Sequence, residues 1–242
     1  MRDLGKVCVQ IPARAGSKRV KAKNLRYLNG KPLMSYAIEC ALEAGIFDEI
    51  YVNTDSADLA ALGRHHGVLV HDRDPVNASD TASGDDFTQE FIRKVQPDTL
   101  VMISPVCPLV TPGDIRSALE LFRQSDCDTL ITCDKTQMQT FCNEQAVNID
   151  SDAPLAPTQQ NPEVKILNWA VTIWDAKAFM AHYAKNESGY LGVNRLLMPI
   201  NPAHAVKISH EEDFNMVELL LKAREAAGQQ LEPQYWTPEA NV

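Results

Sequence analysis

No apolar run in the 242 residues approaches the ~20 consecutive residues that cross a bilayer. Arg2 and Asp3 lead into no apolar core of the kind a secretory signal carries. None of the six cysteines forms a C-x-x-C pair, and no spacing resembles a zinc site. Cys8 and Cys40 fall in apolar periodic segments and read as small buried hydrophobes. Internal repeats and low-complexity blocks are missing too. A formal net charge of −9 argues against a general nucleic-acid or membrane-surface binder, which needs diffuse positive charge. The expectation is a cytoplasmic α/β protein of one domain, with no nucleic-acid or membrane partner.

Acid is missing from one further place. Residues 14–31, RAGSKRVKAKNLRYLNGK, hold seven of the 23 Lys and Arg and no Asp or Glu. Uncompensated charges repel one another, so such a cluster on an acidic chain points to a bound polyanion. The segment follows KVCVQIPA (6–13), an apolar run of buried-strand type. Positive charge therefore sits at the carboxyl end of a strand, where open α/β sheets bind ligands. Gly16 lets the backbone approach a phosphate, and Ser17 adds a hydroxyl and an N–H. Neither G-x-G-x-x-G nor G-x-x-x-x-G-K-[ST] is present.

Strand and helix signals alternate beyond this loop. Leu33, Tyr36, Ala37, Cys40, Ala41 and Ala44 share a helical face between Pro32 and Gly45. Strands are expected at 49–55, 68–72, 99–105 and 129–134, with helices from Ser56 to Leu62, around Phe87–Val95 and over 113–123. This rhythm predicts a doubly wound, mainly parallel sheet with helices on both faces. It breaks over about 136–165, a polar stretch rich in Gln, Asn and Pro. Strands are expected again at 167–175 and 203–209, and a last helix from about Asp213.

Several segments together resemble the cytidylyltransferases that activate acidic sugars, the CMP-acylneuraminate (CMP-sialic acid) synthetases and their relatives. They are IPARAGSKRVKAKNL (11–25) with LNGKPL (28–33), NTDS (53–56), RDPVNASDTAS (73–83), SPVCPL (104–109) and DF (213–214). The resemblance spans most of residues 7–220 and implies a Rossmann-like nucleotidyltransferase fold. It also implies CTP as one substrate, an acidic acceptor as the other and pyrophosphate as leaving group. Arg14, Lys18 and Lys23 are then expected on the triphosphate, where they offset developing charge. Ala13, Gly16, Ser17 and Asn24 are expected to hold the nucleotide, and Arg73, Ala82 and Ser83 to surround the cytosine. Ser83 serves equally well as a helix N-cap. Relatives are commonly dimers, so residues 136–200, with Trp169, Trp174, Phe179 and Tyr183, are expected to form an inserted dimerisation or lid subdomain; a monomer that buries these aromatics itself is the alternative.

The departures from the family's pattern concern metal and acceptor. The family's strand before the last helix carries two alternating aspartates for magnesium, whereas AVKISHEEDF (205–214) places Lys207 and Ser209 there. Lysine repels Mg2+, so either magnesium is held chiefly by the CTP phosphates or Lys207 replaces part of its charge. The family's Gln-Pro-Thr-Ser-Pro-Leu-Arg reads SPVCPLV here (104–110), without its sugar-facing Gln and terminal Arg. Ser104, Lys165 and Asn168 are the candidate acceptor residues, Asn168 keeping the family's Asn of Asn-Gly with Trp169 after it. Two further readings are a small phosphonate as acceptor, whose oxygen is already anionic, and a nucleotide-binding homologue that has lost catalysis.

Overall fold

The computed structural model describes residues 1–16 and 19–226. Its frame alternates as the periodicity predicts: β1 (Val7–Pro12), α1 (Leu33–Ala44), β2 (Glu49–Thr54), α2 (Ala57–His65), β3 (Leu69–Asp72), α3 (Gly84–Val95), β4 (Thr99–Ile103), α4 (Pro112–Gln124) and β5 (Thr129–Thr136). Local chemistry sets these limits. Pro32 precedes α1, and Gly45 ends it at φ 65°. Ser83 and Thr111 each close a capping box at the start of α3 and α4.

Three elements complete the sheet side: β6 (Val164–Asp175), α5 (Ala176–Asn186) and β7 (Arg195–Pro199); α6 (Glu211–Ala226) follows. The strand order is β7-β5-β6-β4-β1-β2-β3. Only β6 runs against the rest, antiparallel to both β5 and β4. Alternation along the strands feeds two layers. Val9 and Ile11 of β1 and Val101 and Ile103 of β4 face Ile38 of α1 and Ile115 and Phe122 of α4. Leu100 and Met102 turn the other way, to Phe91 of α3, Trp174 of β6 and Phe179 of α5.

Two elements differ from expectation. Residues 203–209 form no strand but an unpaired strap. None of its hydrogen bonds among the described residues reaches a strand: Ile208 N–H donates to Val106 O at 2.9 Å, and Ile208 O accepts from Lys23 Nζ at 3.0 Å. The sheet edge at β5 is already taken by β7, a short strand ending in proline that carries no alternating pattern. Within 136–200, only the stretch between β5 and β6 stands apart from the sheet, as a two-residue hairpin (Phe141–Cys142 with Gln145–Ala146) and a loop. β6 lies inside the main sheet, and Trp174 and Phe179 are buried in this chain's own core.

The chain reverses its winding at β1: β2 and β3 build one half, then β4 returns to the opposite side of β1. Loops after β1 and β4 therefore diverge and leave a crevice at the carboxyl ends of the strands.

Candidate active site

A cleft of about 740 Å³ opens at that crevice. Pro12, Ala13, Arg14 and Gly16 enter it from the end of β1, and Met102, Ser104, Pro105 and Val106 from the end of β4. Arg19, Lys23 and Lys207 form its charged side, which the neutral Asn24 shares; Phe87, Trp169 and Tyr190 form an aromatic wall. No Asp or Glu lines it among the described residues.

The cations converge through packing. Val20 and Leu28 of the basic segment and Leu33 of α1 join Leu109, Ile208, Phe214 and Val217 in a satellite core. That core pins the 205–209 strap beside the basic segment and carries Lys207 to the cleft. Asp213 ties the strap to α6 by accepting from Ser209 N–H at 2.7 Å and His210 N–H at 2.8 Å, and these two bonds hold its carboxyl below the usual range. Burial, then Arg19 and Lys207, pushes the Lys23 ammonium below its ordinary pKa. Lys207 is exposed and makes no ion pair among the described residues. Such a group gains from an incoming anion. Asn24 adds a buried Oδ1 without a hydrogen-bond partner among the described residues, a standing demand for a donor.

A second polar set lies behind the opposite wall. Arg14 bridges to the 78–80 loop, donating to Ser79 O at 3.1 Å and to the Asp80 carboxylate at 2.9 Å. Arg73 is only 5% exposed, and burial lowers its guanidinium to about 10. It donates to Asn53 Oδ1 at 2.9 Å and Asn53 O at 2.7 Å, while Asn53 Nδ2 donates to Gln10 Oε1 at 3.0 Å and Gln10 Nε2 to Thr88 Oγ1 at 3.2 Å. Its guanidinium lies 4.6 Å from the centroid of Phe87, so it backs the cleft wall through that ring.

The sequence profile described as Cytidylyltransferase matches residues 8–220. The chain belongs to the cytidylyltransferase family. It is accordingly a CTP-dependent nucleotidyltransferase. Among similar proteins, the post-translational flagellin modification protein B of Campylobacter coli is 28% identical over 233 residues, 91% of this chain and 97% of that protein. A CMP-N,N'-diacetyllegionaminic acid synthase of Legionella pneumophila is 27% identical over 238 residues, covering 92% and 99%. The N-acylneuraminate cytidylyltransferase A of Danio rerio is 26% identical over 86% of this chain, which spans 49% of that longer protein. A CMP:2-keto-3-deoxy-manno-octonic acid synthetase solved with CTP shares the fold, with TM-score 0.69, 18% identity and coverage of 90% and 99%.

Of the residues that sequence reasoning placed on the nucleotide, this cytidylyltransferase brings Ala13, Arg14, Gly16, Lys23 and Asn24 to the cleft. Ser17 and Lys18 lie outside the described residues. Ser83 caps α3, accepting from Asp86 N–H at 3.1 Å, and Ala82 precedes it; neither lines the cleft. Ser104 and Lys207 line it; Lys165 is exposed and lies off it, paired in register with Lys135. The Asn168 side chain is consumed internally, accepting from Thr132 Oγ1 at 2.7 Å and donating to Asp134 Oδ1 at 3.1 Å.

Sequence reasoning missed Arg19, Phe87, Met102, Trp169 and Tyr190 as cleft residues. Arg19 was visible as part of the basic run. Phe87 reads as the apolar face of a helix and Met102 as part of the 99–105 strand, Trp169 is expected in the dimerisation or lid subdomain, and Tyr190 carries no signal of its own; only tertiary placement brings them to one cleft.

Cytidylyltransferases generally use magnesium. The donor set at this cleft is cationic, and among the described residues no three His, Cys, Asp or Glu converge on a metal position. These residues do not fit a magnesium ion held by the protein.

Proposed function

We propose that this cytidylyltransferase transfers CMP from CTP to an acidic acceptor of the sugar-acid class. The observation that carries the reading is the gathering of Arg14, Arg19, Lys23 and Lys207 where β1 and β4 diverge; among the described residues no carboxylate lines the cleft, and only Arg14 of the four is ion-paired, to Asp80 outside it. An acceptor oxygen attacks the α-phosphorus, the bond from that phosphorus to the bridging oxygen of the β-phosphate breaks, and pyrophosphate leaves with the electron pair. The transition state spreads negative charge over the α-phosphoryl oxygens and the leaving group, and preorganised cations stabilise it. Arg14 offers a fork; Lys23 and Lys207 act as point charges. Arg73, held rigid behind Phe87, supports the Phe87 end of the aromatic wall, and it is against that end that we place the cytosine. The names of the relatives support a sugar acid as acceptor.

A small phosphonate is the second reading. Lys207 favours it, because an anionic nucleophile needs cations rather than a base. Pyrophosphate release from CTP, ATP, GTP and UTP, each with 2-keto-3-deoxy-manno-octonate, N-acetylneuraminate, N,N'-diacetyllegionaminate or a small alkylphosphonate, tests both. Turnover is expected with CTP and at least one acid. CTP binding without pyrophosphate from any acid would leave a binding protein and sink the enzymatic reading.

We further place a homodimer contact on the 137–166 stretch. Met138, Phe141, Val147, Leu155 and Ile166 expose more than half of their surface there. No helix among the described residues is long and apolar enough to cross a membrane.

A further inference from the structure

We infer that Trp169 is the specificity-determining wall of the acceptor end of the cleft, admitting compact acids and excluding those that need the space its indole fills. This rests on the nucleotidyl-transfer reading above.

The backbone gives the first sign. Trp169 sits at φ 59°, in the left-handed region that bulky residues avoid and glycine occupies freely. Its segment cannot relax. Leu167 pairs with Cys133 and Thr172 with Ile131, so the four residues 168–171 bulge opposite Thr132 alone. Asn168 clamps the bulge: its Oδ1 accepts from Thr132 Oγ1 and, at 3.1 Å, from Ala170 N–H, and its Nδ2 holds Asp134. Bulges re-aim side chains, and an enforced outlier at a cleft calls for a functional reason.

Packing gives the second sign. The indole lies against Tyr190, with centroids 5.1 Å apart. Tyr190 is itself immobilised, by Asp85 on its N–H at 2.8 Å, by Met102 Sδ on its hydroxyl at 3.0 Å and by Trp174 at 4.9 Å. A rigid ring on a rigid ring makes a hard boundary. Position decides which half it bounds. The loops expected on the nucleotide follow β1 and β3, whereas Trp169 stands on β6, across β4 from β1. Ser104 N–H, at the end of β4, donates to Ala170 O at 2.9 Å and joins the wall to the β4 loop.

Two variants open the same space with opposite backbone consequences: Trp169→Gly suits φ 59°, and Trp169→Ala does not. The probes are CTP with either the compact 2-keto-3-deoxy-manno-octonate or the bulkier N,N'-diacetyllegionaminate. In both variants the kcat/KM ratio of bulky to compact acid is expected to rise at least about tenfold, while the KM for CTP moves less than about twofold. The Gly variant is expected to melt about 2–4 °C above the Ala variant, a difference that reports the backbone strain apart from the lost ring. An unchanged ratio in both folded variants overturns the inference and leaves Trp169 a packing residue. So does CTP binding, measured by calorimetry, with neither acid turned over by any of the three proteins. Failure of CTP to bind the wild type instead removes the nucleotidyl-transfer reading itself.

Discussion

Asn53→Ala is the sharpest test of how this cytidylyltransferase positions its cleft. Asn53 is fully buried and stands between two other buried polar groups, Arg73 and Gln10. The substitution removes the acceptor for Arg73 Nε and the donor to Gln10 Oε1. A hydrogen bond to a charged group contributes about 1.5–3 kcal/mol, and a buried polar atom left unpaired costs about 1–3 kcal/mol more. The second Arg73 contact, to the backbone oxygen of Asn53, survives, so the total should lie near the lower sums, about 3–4 kcal/mol. For a chain of this length each kcal/mol moves the thermal midpoint by about 2–4 °C, which predicts a fall of roughly 6–16 °C. Circular dichroism melts and urea titrations measure it, with the m-value as a check that the unfolded state is unchanged. The KM for CTP should rise as well, because Phe87 loses its fixed backing. A loss below about 1 kcal/mol would refute the reasoning; it would mean that water reaches Arg73 and that the chain of polar contacts does not hold the wall.

Two further outcomes follow from the charges. Lys23→Met should lower kcat/KM for CTP by about 100-fold or more, the scale of losing one donor to developing charge. The unliganded protein should melt within about 4 °C of the parent, because loss of the contact to Ile208 O is offset by removal of an ammonium that burial and neighbouring cations disfavour; equal turnover by both proteins would remove Lys23 from the phosphate site. Burial also holds the His71 imidazole below its ordinary pKa, with Glu90 opposing and Lys94 and Arg73 assisting. The unfolded chain therefore takes up a proton near pH 6.5 that the folded chain resists, so this contribution to stability is complete above about pH 6.5 and declines as pH falls below it. Urea midpoints from pH 8 to pH 5 should show the decline, and His71→Phe should flatten it; identical slopes would show that other groups carry the acid sensitivity.

Local pattern made much of the frame legible before any coordinates. The elements from β1 to α4 carry their own periodicity and caps, and each signal is complete within one element. The β1 side of the cleft was legible for a similar reason. Arg14, Gly16, Lys23 and Asn24 lie within one loop, so charge clustering and resemblance found them together. Lys165 and Asn168 show the opposite case. Their residue types suit an acceptor, but β6 turns one away from the cleft and spends the other on Thr132 and Asp134. Asp175 could have announced α5, since its side chain caps that helix by accepting from Ala178 N–H at 2.9 Å.

The amino-acid sequence alone determined that this chain builds a doubly wound sheet and sets a cationic loop at the end of its first strand, because alternation, helical spacing and charge are properties of neighbouring residues. Only the tertiary structure decided that β6 enters the sheet reversed between β4 and β5, that residues 203–209 lie as a strap, and that Lys207 and Trp169 face one cleft. These outcomes depend on which strand edge is free and which distant side chains complete a hydrogen bond or a packed layer. Pairings such as Lys23 with Ile208, 185 residues apart, leave no trace in local pattern.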